Sequence, residues 1–247
     1  MHAASFGRGL RVLSVLSVLL LVGAFSLVFF YAPNDADQGF VQKIFYVHVP
    51  MAIVALGGFV AGGWYGLKFL RKGDRADDLR SYVAIHQSII LGVGVLATGA
   101  IWARASWGHW WLWDEPTLVA FLIVFLLYAC YWPLRFSIED PGTQARYAAV
   151  FAVIGGAFVP LNFMAVRFAQ AAVTHPRVLD ASGGSMPGDM RITFLVSMLA
   201  VLCLFITLWK YELASKHATM RVRALKRRLA GEEAGVPVGR SAAPQHI

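Results

Sequence analysis

Six apolar runs dominate this chain and leave few folds open to it. They span Val12–Tyr31, Val47–Leu67, Tyr82–Ala103, Thr117–Leu134, Tyr147–Val166 and Ile192–Trp209. At about 1.5 Å of rise per residue, runs of this length match the roughly 30 Å hydrocarbon core of a bilayer. A backbone facing lipid must satisfy its own hydrogen bonds, so each run is expected to be a helix. The predicted fold is all-α: an integral membrane bundle of six transmembrane helices. Composition agrees. Hydrophobic residues make up 58% and charged residues only 15% of the 247 positions. The first run follows Arg8 and Arg11, as a signal peptide would. It is too long for one, and Phe30-Tyr31-Ala32-Pro33 is a poor cleavage site, so it reads as an uncleaved helix.

The basic residues orient the bundle. With the N-terminus placed inside, the inner segments hold Arg8, Arg11, Lys68, Arg71, Lys72, Arg75, Arg80, Arg135, Arg146 and everything basic from Lys210 onward. Of 22 lysines and arginines, that leaves Lys43, Arg104, Arg167, Arg177 and Arg191 for the outer side. This is the positive-inside bias, and it puts both termini in the cytoplasm. It also accounts for the net charge of +8 without a nucleic-acid partner. The organisation expected is a single membrane unit, residues 1–229. A basic stretch, Lys210–Leu229, could lie as a helix on the anionic inner leaflet. Residues 230–247, rich in Gly, Pro and Ala, read as a disordered cytoplasmic tail.

Several function classes drop out. Cys130 and Cys203 lie in apolar runs far apart, which gives neither a disulfide framework nor a redox pair. No Gly-rich phosphate loop is present, so the chain is not itself an ATPase. No nucleophile–base set or tetrahedral zinc cluster is evident, and hydrolysis has no candidate.

Three features meet on the predicted outer, periplasmic face. The first lies between the third and fourth runs. Of eight tryptophans, Trp102, Trp107, Trp110, Trp111 and Trp113 fall in this one short stretch. An aromatic belt would spread its indoles over all helix ends. If the loop coils helically, Trp107, Trp110, Trp111 and Asp114 share a face at i, i+3, i+4, i+7. That shelf, with Gly108 leaving one side open, suits a large flat apolar ligand. The Asp114-Glu115-Pro116 string also reads as a helix N-terminus. The second feature is His48, in Tyr46-Val47-His48-Val49-Pro50 at the outer start of the second run. An ionisable side chain entering an apolar helix is a functional candidate. The third is His175, on the outer loop after the fifth run. Two imidazoles from separate elements could grip a metal above and below a planar macrocycle. Lys43 and Arg104 lie near enough to pair with carboxylates of such a ligand, or to anchor the interface. His86 belongs toward the inner end of the third run, and Pro160 is expected to kink the fifth.

The string Trp107-Gly108-x-Trp110-Trp111-x-Trp113-Asp114 resembles the WWD signature of heme-handling proteins in cytochrome c assembly. Six helices, both termini inside, the Tyr-x-His-Val-Pro string and a histidine on each flanking loop resemble one branch closely: the heme exporter protein C (CcmC) family. The resemblance implies a non-covalently bound b-type heme, with His48 and His175 as axial iron ligands. It implies that Trp107, Gly108, Trp110, Trp111, Trp113 and Asp114 cradle the porphyrin. It also implies heme presentation to a periplasmic chaperone of CcmE type, alongside ABC transporter subunits of CcmA and CcmB type and a small CcmD-type membrane protein. That is delivery in a cell inner membrane, with at most a heme-transfer activity of the enzyme kind. Relatives of the family commonly carry a basic residue after the aspartate, where this chain has Glu115-Pro116. Two other classes stand beside this reading: a b-type electron-transfer oxidoreductase, which would need facing histidines inside the helices, and a non-heme permease or scaffold.

Overall fold

A computed structural model describes residues 6–168 and 186–233 of the chain. Among these residues all the regular structure is helical. The elements are α1 (Arg8–Phe30), a 3-10 turn (Phe40–Ile44), α2 (Phe45–Lys72), α3 (Arg75–Trp107), α4 (Pro116–Ala129), α5 (Tyr131–Phe136), α6 (Pro141–Phe168) and α7 (Gly188–Glu233). Among the described residues six segments are long and apolar enough to cross a membrane, with α4 and α5 together forming one of them. The expected number of spans is therefore met.

Several ends differ from the hydropathy reading, each for a physical reason. Helix α3 starts at Arg75 rather than near Tyr82. The Asp74 side chain accepts from the Ala76 amide at 2.9 Å, and Asp77 and Asp78 occupy the first turn, where carboxylates favour the positive helix end. The fourth run breaks at Cys130, between α4 and α5. Pro133 cannot donate to the carbonyl four residues back, so the helix is interrupted one turn before it. Helix α7 continues without a break through the basic stretch and into the region expected to be a disordered tail, ending at Glu233. No glycine or proline lies between Gly188 and Gly231, and Glu212 pairs with Lys216 one turn on at 3.5 Å. Pro160 sits within α6, which stays helical on both sides of it.

Helix α2 is the centre of the packing, lying against α3, α6 and α7. Small residues let it approach its neighbours. A Cβ on Gly63 would come within 2.8 Å of the Ala152 carbonyl oxygen and 3.1 Å of the Gly156 Cα. The α2 and α6 backbones thus touch, as membrane helices do at small residues. Beside this crossing the main apolar cluster gathers Phe59, Ile85, Val124, Tyr128 and Ala152. Phe59 and Tyr128 stack with ring centroids 3.9 Å apart, and the Tyr128 hydroxyl donates to the Phe59 carbonyl.

The end of the bundle that carries Arg75 and the start of α6 holds a polar network. Arg135 donates to both oxygens of Asp78 at 2.8 Å, with both side chains largely buried, and also to the Tyr131 hydroxyl. His86 Nδ1 and Gln87 meet the Glu212 carboxylate at 2.8 and 2.6 Å, tying α3 to α7. Asp140 accepts from the Thr143 amide at the start of α6, and that bond holds its carboxyl below the usual carboxylate range. At the opposite end, the 3-10 turn, the start of α2, the close of α3, the start of α4 and the start of α7 come together around the candidate site.

Candidate heme-binding cavity

The tryptophan stretch is not a helix. Helix α3 ends at Trp107, and Gly108 adopts a left-handed conformation (φ +78°) whose amide returns to the Arg104 carbonyl. A glycine tolerates this conformation at no steric cost, so Gly108 terminates the helix. The arrangement expected from helical spacing, with Trp107, Trp110, Trp111 and Asp114 on one face, is therefore corrected. The chain turns instead, and the indoles part company. Trp107 and Trp111 line a cavity, whereas Trp110 and Trp113 are 60% and 75% exposed. Trp113 still touches Trp111 edge-on at 5.9 Å, and Trp107 meets Trp102 edge-on at 4.8 Å. Asp114 is exposed, while Glu115 is buried and caps α4, accepting from the Thr117 amide at 3.2 Å. Pro116 opens the helix, as the Asp-Glu-Pro string suggested.

The cavity has a volume of ≈ 440 Å³, within the usual range for ligand sites. Its floor is apolar and comes from several helices, with Ile53 and Leu56 on α2, Val95 on α3, Phe121 and Val124 on α4 and Val159 on α6. Its rim is indole and imidazole: Trp102, Trp107, Trp111 and His48. Met186 and Met190, at the start of α7, close another side. Polar groups are few. Asp35, Gln38 and Gln42 come from the segment between α1 and α2, Thr117 from α4 and Asn162 from α6. The Trp102 indole donates to Gln38 Oε1 at 3.0 Å, and Asn162 donates to the Ala120 carbonyl at 2.9 Å, joining α6 to α4 across the wall. The Trp111 Nε1 is buried and has no hydrogen-bond partner among the described residues.

His48 reaches the cavity from the first turn of α2. Its Nδ1 lies 2.9 Å from Thr98 Oγ1 on α3, and its ring rests on Gly99, where a Cβ would stand 2.9 Å from His48 Cε1. The two basic residues expected to meet ligand carboxylates are engaged elsewhere. Lys43 is buried and donates to the carbonyls of Val28 at 2.7 Å and Ala32 at 3.1 Å, closing the end of α1. Arg104 donates to the Gly108 carbonyl at the end of α3. Neither lines the cavity. His175 lies outside the described residues. Asn162, Gln38 and Gln42 escaped the sequence reading. A lone amide inside an apolar run is a signal that could have found Asn162.

Fold and cavity together define a class: a multi-pass helical membrane protein with a largely apolar cavity beside an aromatic loop at one end of its bundle. The comparisons with known proteins narrow it. The family model for heme exporter protein C, CcmC, matches residues 2–228. The heme exporter protein C of Rhodobacter capsulatus is 30% identical over 223 residues, which cover 90% of this chain and 92% of that one. The Paracoccus denitrificans protein of the same name is 30% identical over 197 residues, covering 79% and 81%. The Escherichia coli K12 protein is 28% identical over 159 residues, covering 63% of each chain. The chain belongs to the heme exporter protein C family.

Proposed function

We propose that this protein holds heme at the periplasmic face of a bacterial inner membrane and presents it for transfer to a heme chaperone during c-type cytochrome biogenesis. The observation that carries the reading is the cavity rim, where Trp107, Trp111 and His48 converge over an apolar floor. Such a lining fits a large planar macrocycle with a metal at its centre.

In this reading His48 is one axial ligand, and His175 supplies the second. Trp107 and Trp111 stack on the ring. Trp110, Trp113 and Asp114, being exposed, form the outer surface of the loop, where a chaperone would dock. The protein contributes position, desolvation and ligation, and the reactive chemistry belongs to the heme. It is a delivery protein more than an enzyme. The placement of lysines and arginines supports an orientation with both termini cytoplasmic and the tryptophan loop outside. The partners are those the family's setting suggests: a CcmE-type chaperone, CcmA- and CcmB-type transporter subunits and a CcmD-type membrane protein. The unit that does this is the six-span bundle up to the end of α7.

The test is a hemin titration of the purified protein in detergent, read by visible spectroscopy. A low-spin spectrum with two nitrogen ligands is expected. His48→Ala and His175→Ala, singly and together, should each remove it. A double variant with unchanged heme content and spectrum overturns the ligand assignment.

A further inference from the structure

Resting on that reading, we propose that Thr98 is a positioning residue for the heme iron. Its hydroxyl fixes His48 in the tautomer that carries the proton on Nδ1 and the lone pair on Nε2. The case begins with three atoms. Thr98 Oγ1 lies 2.7 Å from the Gly94 carbonyl oxygen one turn back on α3, and 2.9 Å from His48 Nδ1. A threonine hydroxyl has a single proton to give. The distances fit one assignment of it. The Gly94 carbonyl can only accept, so at 2.7 Å the hydroxyl proton must lie between the two oxygens. Thr98 therefore donates to Gly94, the back-bond common for threonine in helices. Its remaining lone pair then faces His48, and Nδ1 must be the donor. A neutral imidazole carries one N–H, so the lone pair resides on Nε2.

Gly99, the next residue, holds the ring where Thr98 can reach it. A Cβ there would stand 2.9 Å from His48 Cε1 and 3.5 Å from Nδ1. The imidazole thus lies directly on the α3 backbone. Two consecutive residues of α3 divide the work: Gly99 admits the ring and Thr98 sets its protonation. A hydrogen bond from the distal N–H also raises the basicity of the ligating nitrogen, which favours the ferric state.

The tautomer can be read without any heme. In the wild-type protein with 15N-labelled histidine, heme-free in detergent, the His48 nitrogens should show the proton on Nδ1. A proton on Nε2 overturns the proposal. The second arm uses hemin binding. Thr98→Val keeps the shape of the side chain and removes the hydroxyl. It should weaken hemin affinity by about 10–100-fold, raise the midpoint potential and reduce the low-spin fraction. Thr98→Ser should match the wild type in all three. Gly99→Ala should shift the same three readouts in the direction of Thr98→Val. The two levels of failure separate. If His48→Ala binds hemin with the wild-type spectrum, the heme-presenting reading itself fails. If His48→Ala loses that spectrum while Thr98→Val retains the affinity, spectrum and potential of the wild type, only the role of Thr98 is overturned. Should Thr98→Val fail to fold, the labelled wild-type spectrum still decides.

Discussion

Replacing Lys43 with methionine separates a role that the sequence suggests for this residue, a partner for ligand carboxylates, from the one the fold gives it, a structural cation. In the structure its ammonium is buried and closes the end of α1. The amides of Tyr31 and Ala32 both turn to the Leu27 carbonyl, while Lys43 supplies donors to Val28 and Ala32 at 2.7 and 3.1 Å. Hydrogen bonds from a charged donor are worth about 1.5–3 kcal/mol each. Two of them, set against the cost of burying one ammonium, leave a net loss of about 2–4 kcal/mol for Lys43→Met. For a chain of this size each kcal/mol moves the melting temperature by about 2–4 °C. The variant should therefore melt at least about 4 °C lower in detergent by intrinsic tryptophan fluorescence. Its hemin spectrum and affinity, measured well below that temperature, should match the wild type. An unchanged melting temperature together with lost hemin affinity would refute the reasoning and return Lys43 to the ligand.

Two further perturbations probe the frame that positions the cavity. Gly63→Ala inserts a methyl group between touching backbones and should cost about 1–3 kcal/mol, read as a lower melting temperature. Gly57→Ala, with nothing within 4 Å of the new Cβ, should be neutral or slightly stabilising and serves as its control. Arg135→Met leaves the Asp78 carboxylate buried without its partner and should cost about 3–5 kcal/mol. Adding Asp78→Asn should recover most of that loss. Denaturation of the two single variants and the double variant checks both statements, and additive losses would contradict them.

The spans were legible because a bilayer imposes one requirement on every crossing segment, a long apolar run. Their ends were not. Arg75 to Ser81 and Lys210 to Glu233 are helical without being apolar, so a capping aspartate and unbroken helix propensity carry the signal there instead of hydropathy. At the site, Trp107, Trp111 and His48 stood out because indoles clustered and an imidazole entered an apolar run. Their sorting did not follow from spacing. A periodicity argument presumes a helix, and Gly108 ends that helix before Trp110. Lys43 and Arg104 looked available as cations in the sequence. Both bond to carbonyls at helix ends, one of them from a separate segment, and such contacts are invisible until the chain is folded. Thr98 and Gly99 are ordinary residues of an apolar helix, and only the ring resting on them gives them meaning.

The contact between Gly63 and Gly156 has a geometric consequence for the space above it. Two rods pinned where their axes nearly meet must splay on either side of the pin. His48 lies fifteen residues before Gly63 on α2, about 22 Å along the axis. At common crossing angles of roughly 20–50°, rods pinned this way separate by roughly a further 8–17 Å over that length. Phe121 and Val124 of α4 line the cavity together with residues of both helices. The glycine crossing thus acts on the hollow from a distance, alongside the small residues Ala52, Gly99 and Ala120 that line it. Widening or narrowing it would be easiest far from the tryptophan loop, at the glycines.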